Sequence, residues 1–280
     1  TENFKNIKTL DLSYTNIEYL SDSIDNLKIF VGTGCINLKY FPNYYSLQLL
    51  NLSSCQNLKK ILTPNINTLN IYDCEGIESV SSLANNINLS IHYCNSITDF
   101  ETLINVQNLG LENVIGPMNN YNVIRTQSII CNSFHTMKLC PCFTNIQFVH
   151  LSQCHNLKQV SNIKNIKEFT ISGCGLLENI NKLESIDMLK IISCNKLHTM
   201  TDCSVNKICT RFTPCFTSFV DCGKIESLYH EINKSELNTI NTIIDSVTTI
   251  TMKDSVESFF AGNSDLDAIT EQMPHELFFK

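Results

Sequence analysis

Residues 50–61 read LNLSSCQNLKKI, and residues 149–160, far along the chain, read VHLSQCHNLKQV. Both fit one template, L-x-L-x-x-C-x-x-L-x-x-L, with other apolar residues allowed at the L positions. So do LDLSYTNIEYL from Leu10, LNIYDCEGIESV from Leu69, LSIHYCNSITDF from Leu89, FTISGCGLLENI from Phe169 and LKIISCNKLHTM from Leu189. The sixth template position falls at Thr15, Cys35, Cys55, Cys74, Cys94, Val114, Phe134, Cys154, Cys174 and Cys194, in steps of 20 or 19 residues. The repeats holding Val114 and Phe134 break the consensus and keep the period. After Cys194 the pattern weakens, with further units at Ile208–Thr213, Leu228–Asn233 and, after a longer step, Ile250–Ser255. Self-similarity at a fixed period of this length is the mark of a stacked-repeat architecture.

Within each unit the L-x-L pair alternates in and out, which reads as a short strand. One strand per unit, stacked in parallel, gives a continuous sheet. The Cys three residues after the second Leu lies where the chain turns out of the strand, and later apolar positions such as Leu58 and Ile61 fold the return limb over the core. Each buried apolar side chain contributes roughly 1.5–3 kcal/mol before entropy is subtracted. No unit stands alone, and neighbours share one core.

The pattern resembles that of the leucine-rich-repeat family, L-x-x-L-x-L-x-x-N/C-x-L, over about residues 5 to 260. The resemblance implies an α/β-type repeat solenoid, a right-handed superhelix with a parallel concave β-sheet and a convex side that is mostly irregular or 3-10. It divides the chain into a solenoid over 1–260, of about twelve or thirteen repeats, and a C-terminal cap or tail over 261–280. It also implies that the chain binds a partner protein.

Composition narrows the function classes. Of 280 residues, 43% are hydrophobic, enough for a continuous core, and only 17% are charged. A net charge of −7 argues against nucleic acid or an anionic membrane as partner, since both need a basic face. No apolar run approaches the length needed to span a bilayer. No signal peptide or anchor motif is visible.

The chain has 14 Cys. Seven of them (Cys35, Cys55, Cys74, Cys94, Cys154, Cys174 and Cys194) share the inward slot. Neighbours in that column lie about one strand spacing apart, close enough in principle for disulfides. Parallel inward side chains have poor geometry for such a bond, however, and the preferred reading is a structural column of buried, reduced thiols. That places the protein in a reducing, cytoplasmic compartment. Cys140-Pro141-Cys142 is too short for a zinc ribbon, and Cys203, Cys209, Cys215 and Cys222 lack paired-ligand spacing, so no metal or other cofactor is expected.

No phosphate-binding, dinucleotide-binding, nucleophile-elbow or H-E-x-x-H motif occurs. A Cys–His pair around His150 is conceivable, but template cysteines point inward and His150 outward, so the chain reads as a non-enzyme. Residues 235–250 have helical spacing at Leu237, Ile240 and Ile244 but are rich in β-branched residues, which favours a repeat with an insertion. The tail residues MPHELFF faintly resemble the start of an F-box.

Binding then falls to the strand residues that alternate with the L-x-L pair. The candidates are Tyr72, His92, Phe148, His150, Met188, Lys190, Arg211 and Tyr229, with the last six forming the sharpest patch, because hot spots favour aromatics and Arg. Glu112, Glu168, Ile192 and Glu231 share the face. An apolar group, Ile29, Val31 and Leu49, marks either a second contact or the seat of an N-terminal cap. The leading expectation is a scaffold recognising another protein on its concave face. The alternative is a substrate-recruiting adaptor of a ubiquitin ligase or phosphatase, or a host-interaction effector.

Overall fold

The computed structural model of the chain describes residues 6–22, 24–63, 65–103, 105–115, 126–232 and 250–254. Its strands in chain order are β1 (Thr9–Asp11), β2 (Ile29–Thr33), β3 (Tyr40–Phe41), β4 (Leu49–Ser53), β5 (Lys60–Ile61), β6 (Thr68–Tyr72), β7 (Asn88–His92) and β8 (Asn108–Glu112). They continue with β9 (Ser128–Asn132), β10 (Phe148–Ser152), β11 (Gln159–Ser172), β12 (Asn179–Ile192), β13 (Thr199–Arg211), β14 (Ser218–Val220), β15 (Ser227–Ile232) and β16 (Ile250–Asp254). One 14-stranded sheet runs β1-β2-β4-β6-β7-β8-β9-β10-β11-β12-β13-β15-β16, with β14 beside β13. Every pairing is parallel, and the repeat period becomes the register: Leu50 faces Leu69, Leu69 faces Leu89, and Val149 faces Phe169.

The chain is therefore a parallel β-solenoid. The expected α/β leucine-rich-repeat superhelix is not what forms. No α-helix occurs among the described residues, and the return limb is irregular or 3-10 in most coils, as expected, becoming continuous strand only in β11, β12 and β13. β3 and β5 pair in a second sheet, and β11 and β12 stay in register through the whole coil, from Gln159↔Asn179 to Ser172↔Ile192. Among the described residues two single 3-10 turns, Ser81–Leu83 and Phe100–Thr102, lie on return limbs that form no strand. There a side chain takes the place of the neighbouring backbone: the Val80 N–H donates to Asp99 Oδ1 at 2.8 Å. Local side-chain bonding of this kind competes with ladder formation.

The coil from Phe169 to Asp187 shows how the sequence closes on itself. Phe169, Ile171, Cys174, Leu177, Ile180, Leu183 and Ile186 all point inward and are fully buried. The corners between them are left-handed residues: Gly173 at φ 64°, Lys182 at 52° and Ser185 at 57°. At the first corner the same conformation recurs at Ser54, Asp73, Tyr93, Asn113, Ser133 and Gln153. Left-handed backbone costs a non-glycine residue roughly 1–2 kcal/mol. The ladder sustains it, since the corner N–H still bonds the next coil, as in Ser54 N to Tyr72 O at 2.8 Å and Gln153 N to Ser172 O at 2.8 Å.

The cysteine slot follows that corner. Cys55, Cys74, Cys94, Cys154, Cys174 and Cys194 are fully buried, and all fourteen cysteines are free thiols. The thiol donates to the carbonyl that ends its own strand and, in several coils, to one on the preceding coil. Cys55 reaches Ser53 O at 3.5 Å and Gly32 O at 3.3 Å. The cysteine's own carbonyl accepts the N–H three residues on, as from Leu58 at 3.0 Å, which closes the turn. Thr15 does the same job in the first coil, its hydroxyl donating to Leu12 O at 2.7 Å. Val114 and Phe134 fill the slot by volume alone.

The expected boundary at residue 260, the tail over 261–280 and most of the 235–250 segment lie outside the described residues. The longer last step is present: Leu228 of β15 pairs with Ile250 of β16.

Two outcomes follow from this packing. A Cβ on Gly76 would come within 2.6 Å of Gln56 O and 2.7 Å of Leu58 O, both main chain, whereas one on Gly175 would meet nothing within 4 Å. Gly76→Ala is expected to lower stability in chemical denaturation by about 1–3 kcal/mol, and Gly175→Ala to stay within about 0.5 kcal/mol of the parent. Equal midpoints would disprove the close approach. Burial pushes the Cys94 thiol up to about 12 and holds Cys131 well above its ordinary range. A folded thiol pKa above the unfolded one stabilises fully below pH ~8.5 and is lost as pH rises through the folded value. The unfolding midpoint should therefore fall between pH 8 and 10, and fall less in Cys94→Val.

Candidate functional site

Alternation along each rung sends three residues to the outer face of the long sheet, and stacking turns them into columns. One column runs through Asn108, Ser128, Phe148, Glu168, Met188 and Lys207; the middle one runs through His150, Thr170, Lys190, Cys209 and Tyr229. The third holds Tyr72, His92, Glu112 and Asn132 early in the chain, and Ile192 and Arg211 later.

All eight predicted contact residues thus lie on one face, in two groups. Phe148 and His150 share β10, Met188 and Lys190 share β12, Arg211 is on β13 and Tyr229 on β15. With rungs about 4.8 Å apart, this group spans roughly 19 Å. Tyr72 and His92 sit on β6 and β7, with β8 and β9 between them and β10.

The later group is only partly free to meet a partner. Lys190 is buried, and its ammonium donates to Glu168 Oε1 at 2.7 Å. Phe148 is half-buried with Lys167 Nζ 5.7 Å from its ring centre. Arg211 lies 5.9 Å from the ring of Phe212, which is itself exposed. Beside Phe148 a shallow groove of about 320 Å³ is lined by Asn145, Gln147, Asn165, Lys167, Ser185 and Asp187.

The earlier group forms a connected polar relay. Ser90 Oγ lies 2.8 Å from His92 Nε2; His92 Nδ1 lies 2.8 Å from Glu112 Oε2; and Asn132 Nδ2 donates to Glu112 Oε1 at 3.2 Å. Tyr72, 45% exposed, lies tilted against the relay, its ring 6.1 Å from His92 and 5.1 Å from Tyr93. Serine, imidazole and carboxylate in this order are the parts of an acyl-transfer centre. Two of that centre's requirements are not met. Ser90 is 2% exposed, and β7 is paired in parallel on both sides, so the main-chain N–H groups that would stabilise an oxyanion are spent in the ladder.

Sequence reasoning found Tyr72 and His92 and placed Glu112 on the same face, but missed Ser90, Asn132 and Tyr93. The signal was present: His92, Glu112 and Asn132 stand 20 residues apart, and cross-strand pairs of complementary polarity stabilise a sheet. Tyr93 was legible only as a corner residue. The early apolar group is also on this face, with Ile29 exposed and Val31 and Leu49 half-buried.

Among the described residues no group of three His, Cys, Asp or Glu could hold a metal ion, and no helix is long and apolar enough to cross a membrane. Fold and face together define a parallel β-solenoid with a polar, aromatic-studded sheet surface. No protein-family model and no curated protein matches the chain.

Removing the Glu112 carboxylate leaves the His92 and Asn132 donors unpaired in a half-buried setting. Glu112→Ala should lower stability by about 1–3 kcal/mol, with Glu112→Gln recovering part of the loss. Thermal denaturation of both variants checks this; indistinguishable curves would mean the relay contributes nothing.

Proposed function

We propose that the chain is a binding scaffold that recognises another protein across the outer face of its long sheet. One observation carries the reading. Tyr72, Phe148 and Tyr229 and the His92–Glu112 and Lys190–Glu168 pairs share this face, each held on a rung that is paired on both sides. A surface ordered before the partner arrives lowers the entropic cost of association. Tyr72, Tyr93 and Phe148 supply amphipathic contact area, and the Ser90–His92–Glu112–Asn132 relay fixes the polar groups between them.

On this reading the relay orients side chains for recognition, and the protein is not an enzyme. Kinship with leucine-rich repeats belongs to the same proposal: the L-x-L rung and the cysteine slot are shared, while the return limb differs in β11, β12 and β13. So does a reducing, cytoplasmic setting, supported by the buried free thiols. Recruitment of a substrate to an enzyme carried elsewhere would be one use of such a face.

The test is quantitative affinity capture with the parent chain, a face variant (Tyr72→Ala/Phe148→Ala/Arg211→Ala) and a control on the return limb (Lys60→Ala/Glu178→Ala). A partner bound by parent and control and weakened at least about ten-fold by the face variant is expected, since each interface hot spot contributes about 2 kcal/mol or more. A partner held equally by the face variant would overturn the assignment.

A further inference from the structure

Two cysteines lie outside the template slot and form a column of their own. Cys203 and Cys222 each follow a left-handed corner residue, Asp202 at φ 53° and Asp221 at φ 51°. They occupy the same place on adjacent coils. Thr199, Met200 and Thr201 of β13 pair with Ser218, Phe219 and Val220 of β14, and past the corner Gly223 N donates to Cys203 O at 2.9 Å.

The thiols are set alike. Cys203 Sγ lies 3.2 Å from Thr201 O and 3.9 Å from Ile180 O; Cys222 Sγ lies 3.5 Å from Val220 O and 3.5 Å from Met200 O. Their exposure differs: Cys203 is buried, whereas Cys222 is half-exposed. In the main column, by contrast, Cys55 through Cys194 are all fully buried, which closes them to any reagent.

We propose that Cys203 and Cys222 form a thiol–disulfide exchange site that takes low-molecular-weight disulfides, with Cys222 as the attacking thiol and Cys203 as the resolving one. In the first step the Cys222 thiolate attacks one sulfur of the small disulfide. The S–S bond breaks, and one small thiolate leaves and takes up the proton that Cys222 gave to solvent. In the second step Cys203 gives its proton to solvent and attacks Cys222 Sγ, expelling the second small thiol. Two protein thiols are oxidised to one disulfide and the small disulfide is reduced to two thiols.

Three features favour this pair. The neighbouring Cys203 thiol pulls the Cys222 thiol below its ordinary range, which favours the reactive thiolate. Parallel strands about 4.8 Å apart fall inside the Cα separation a disulfide spans, roughly 4.4–6.8 Å, and the half-exposed Cys222, unlike the enclosed slot thiols, can turn its side chain into bonding geometry. And Cys222, on the coil of β14, is half-exposed, so a small disulfide can reach it. The resulting bond would staple that coil to β13.

The test treats the full chain with glutathione disulfide, blocks remaining thiols with iodoacetamide and maps the peptides by mass spectrometry. The expected product is a Cys203–Cys222 cross-link lacking two hydrogens. Cys203→Ser and Cys203→Ala should each arrest at a glutathione adduct on Cys222, while Cys222→Ser leaves Cys203 unmodified; circular dichroism confirms that each variant folds. In the untreated chain Cys222 should alkylate roughly ten-fold faster than Cys215, the other half-exposed thiol of this region. Alkylation of Cys222 no faster than Cys215, no adduct in either Cys203 variant, or a cross-link between other cysteines would each overturn the proposal.

Discussion

The in-register backbone ladder between consecutive coils is the constraint on which everything else rests. Each inner rung exchanges N–H···O bonds with the rung on either side, so a residue's environment is set mainly by its counterparts 19 or 20 positions away. This makes stability a near-neighbour property, in which each coil supplies the wall its neighbour packs against. It also explains a composition rich in amides. Stacked at one spacing, asparagines bond each other along the surface: Asn108 to Asn88 at 2.7 Å, Asn105 to Asn85 at 2.9 Å and Asn165 to Asn145 at 2.9 Å. With few charged residues, much of the polar surface is still paired, because the ladder sets asparagine beside asparagine.

The cysteine slot answers a problem the coil creates for itself. Where the strand ends, one carbonyl turns inward, and a buried carbonyl left without a donor is costly. A thiol is small enough for the turn, apolar enough for the core and a weak donor toward that oxygen. Thr15 solves the problem with a stronger donor at the less buried N-terminal end. Valine and phenylalanine at 114 and 134 fill the slot without a donor, so apolar filling is the stricter requirement.

Outside the coil the same ladder builds surface chemistry. Side chains from different repeats meet at hydrogen-bond distance because the register places them there, as Glu168 meets Lys190 and Glu112 meets both His92 and Asn132. A relay so assembled is rigid, which suits recognition. The same ladder pairs β7 on both sides and leaves no spare main-chain donor beside Ser90.

The period, the inward positions and the sheet they build were legible in the sequence, because a two-residue alternation repeated every twenty residues allows few other arrangements. The outward position of Tyr72, His92, Phe148 and His150 followed from the same alternation. The path of the return limb was not legible. Whether residues 159–167 run as strand or as 3-10 turn depends on whether their N–H groups find carbonyls on the next coil or side-chain oxygens such as that of Asp99, and that competition is settled only when coils stack. The burial of Lys190 on Glu168, the Ser90–His92–Glu112–Asn132 relay and the pairing of Cys203 with Cys222 were likewise decided by tertiary structure. Each joins side chains whose rotamers and neighbours exist only once one rung lies against the next.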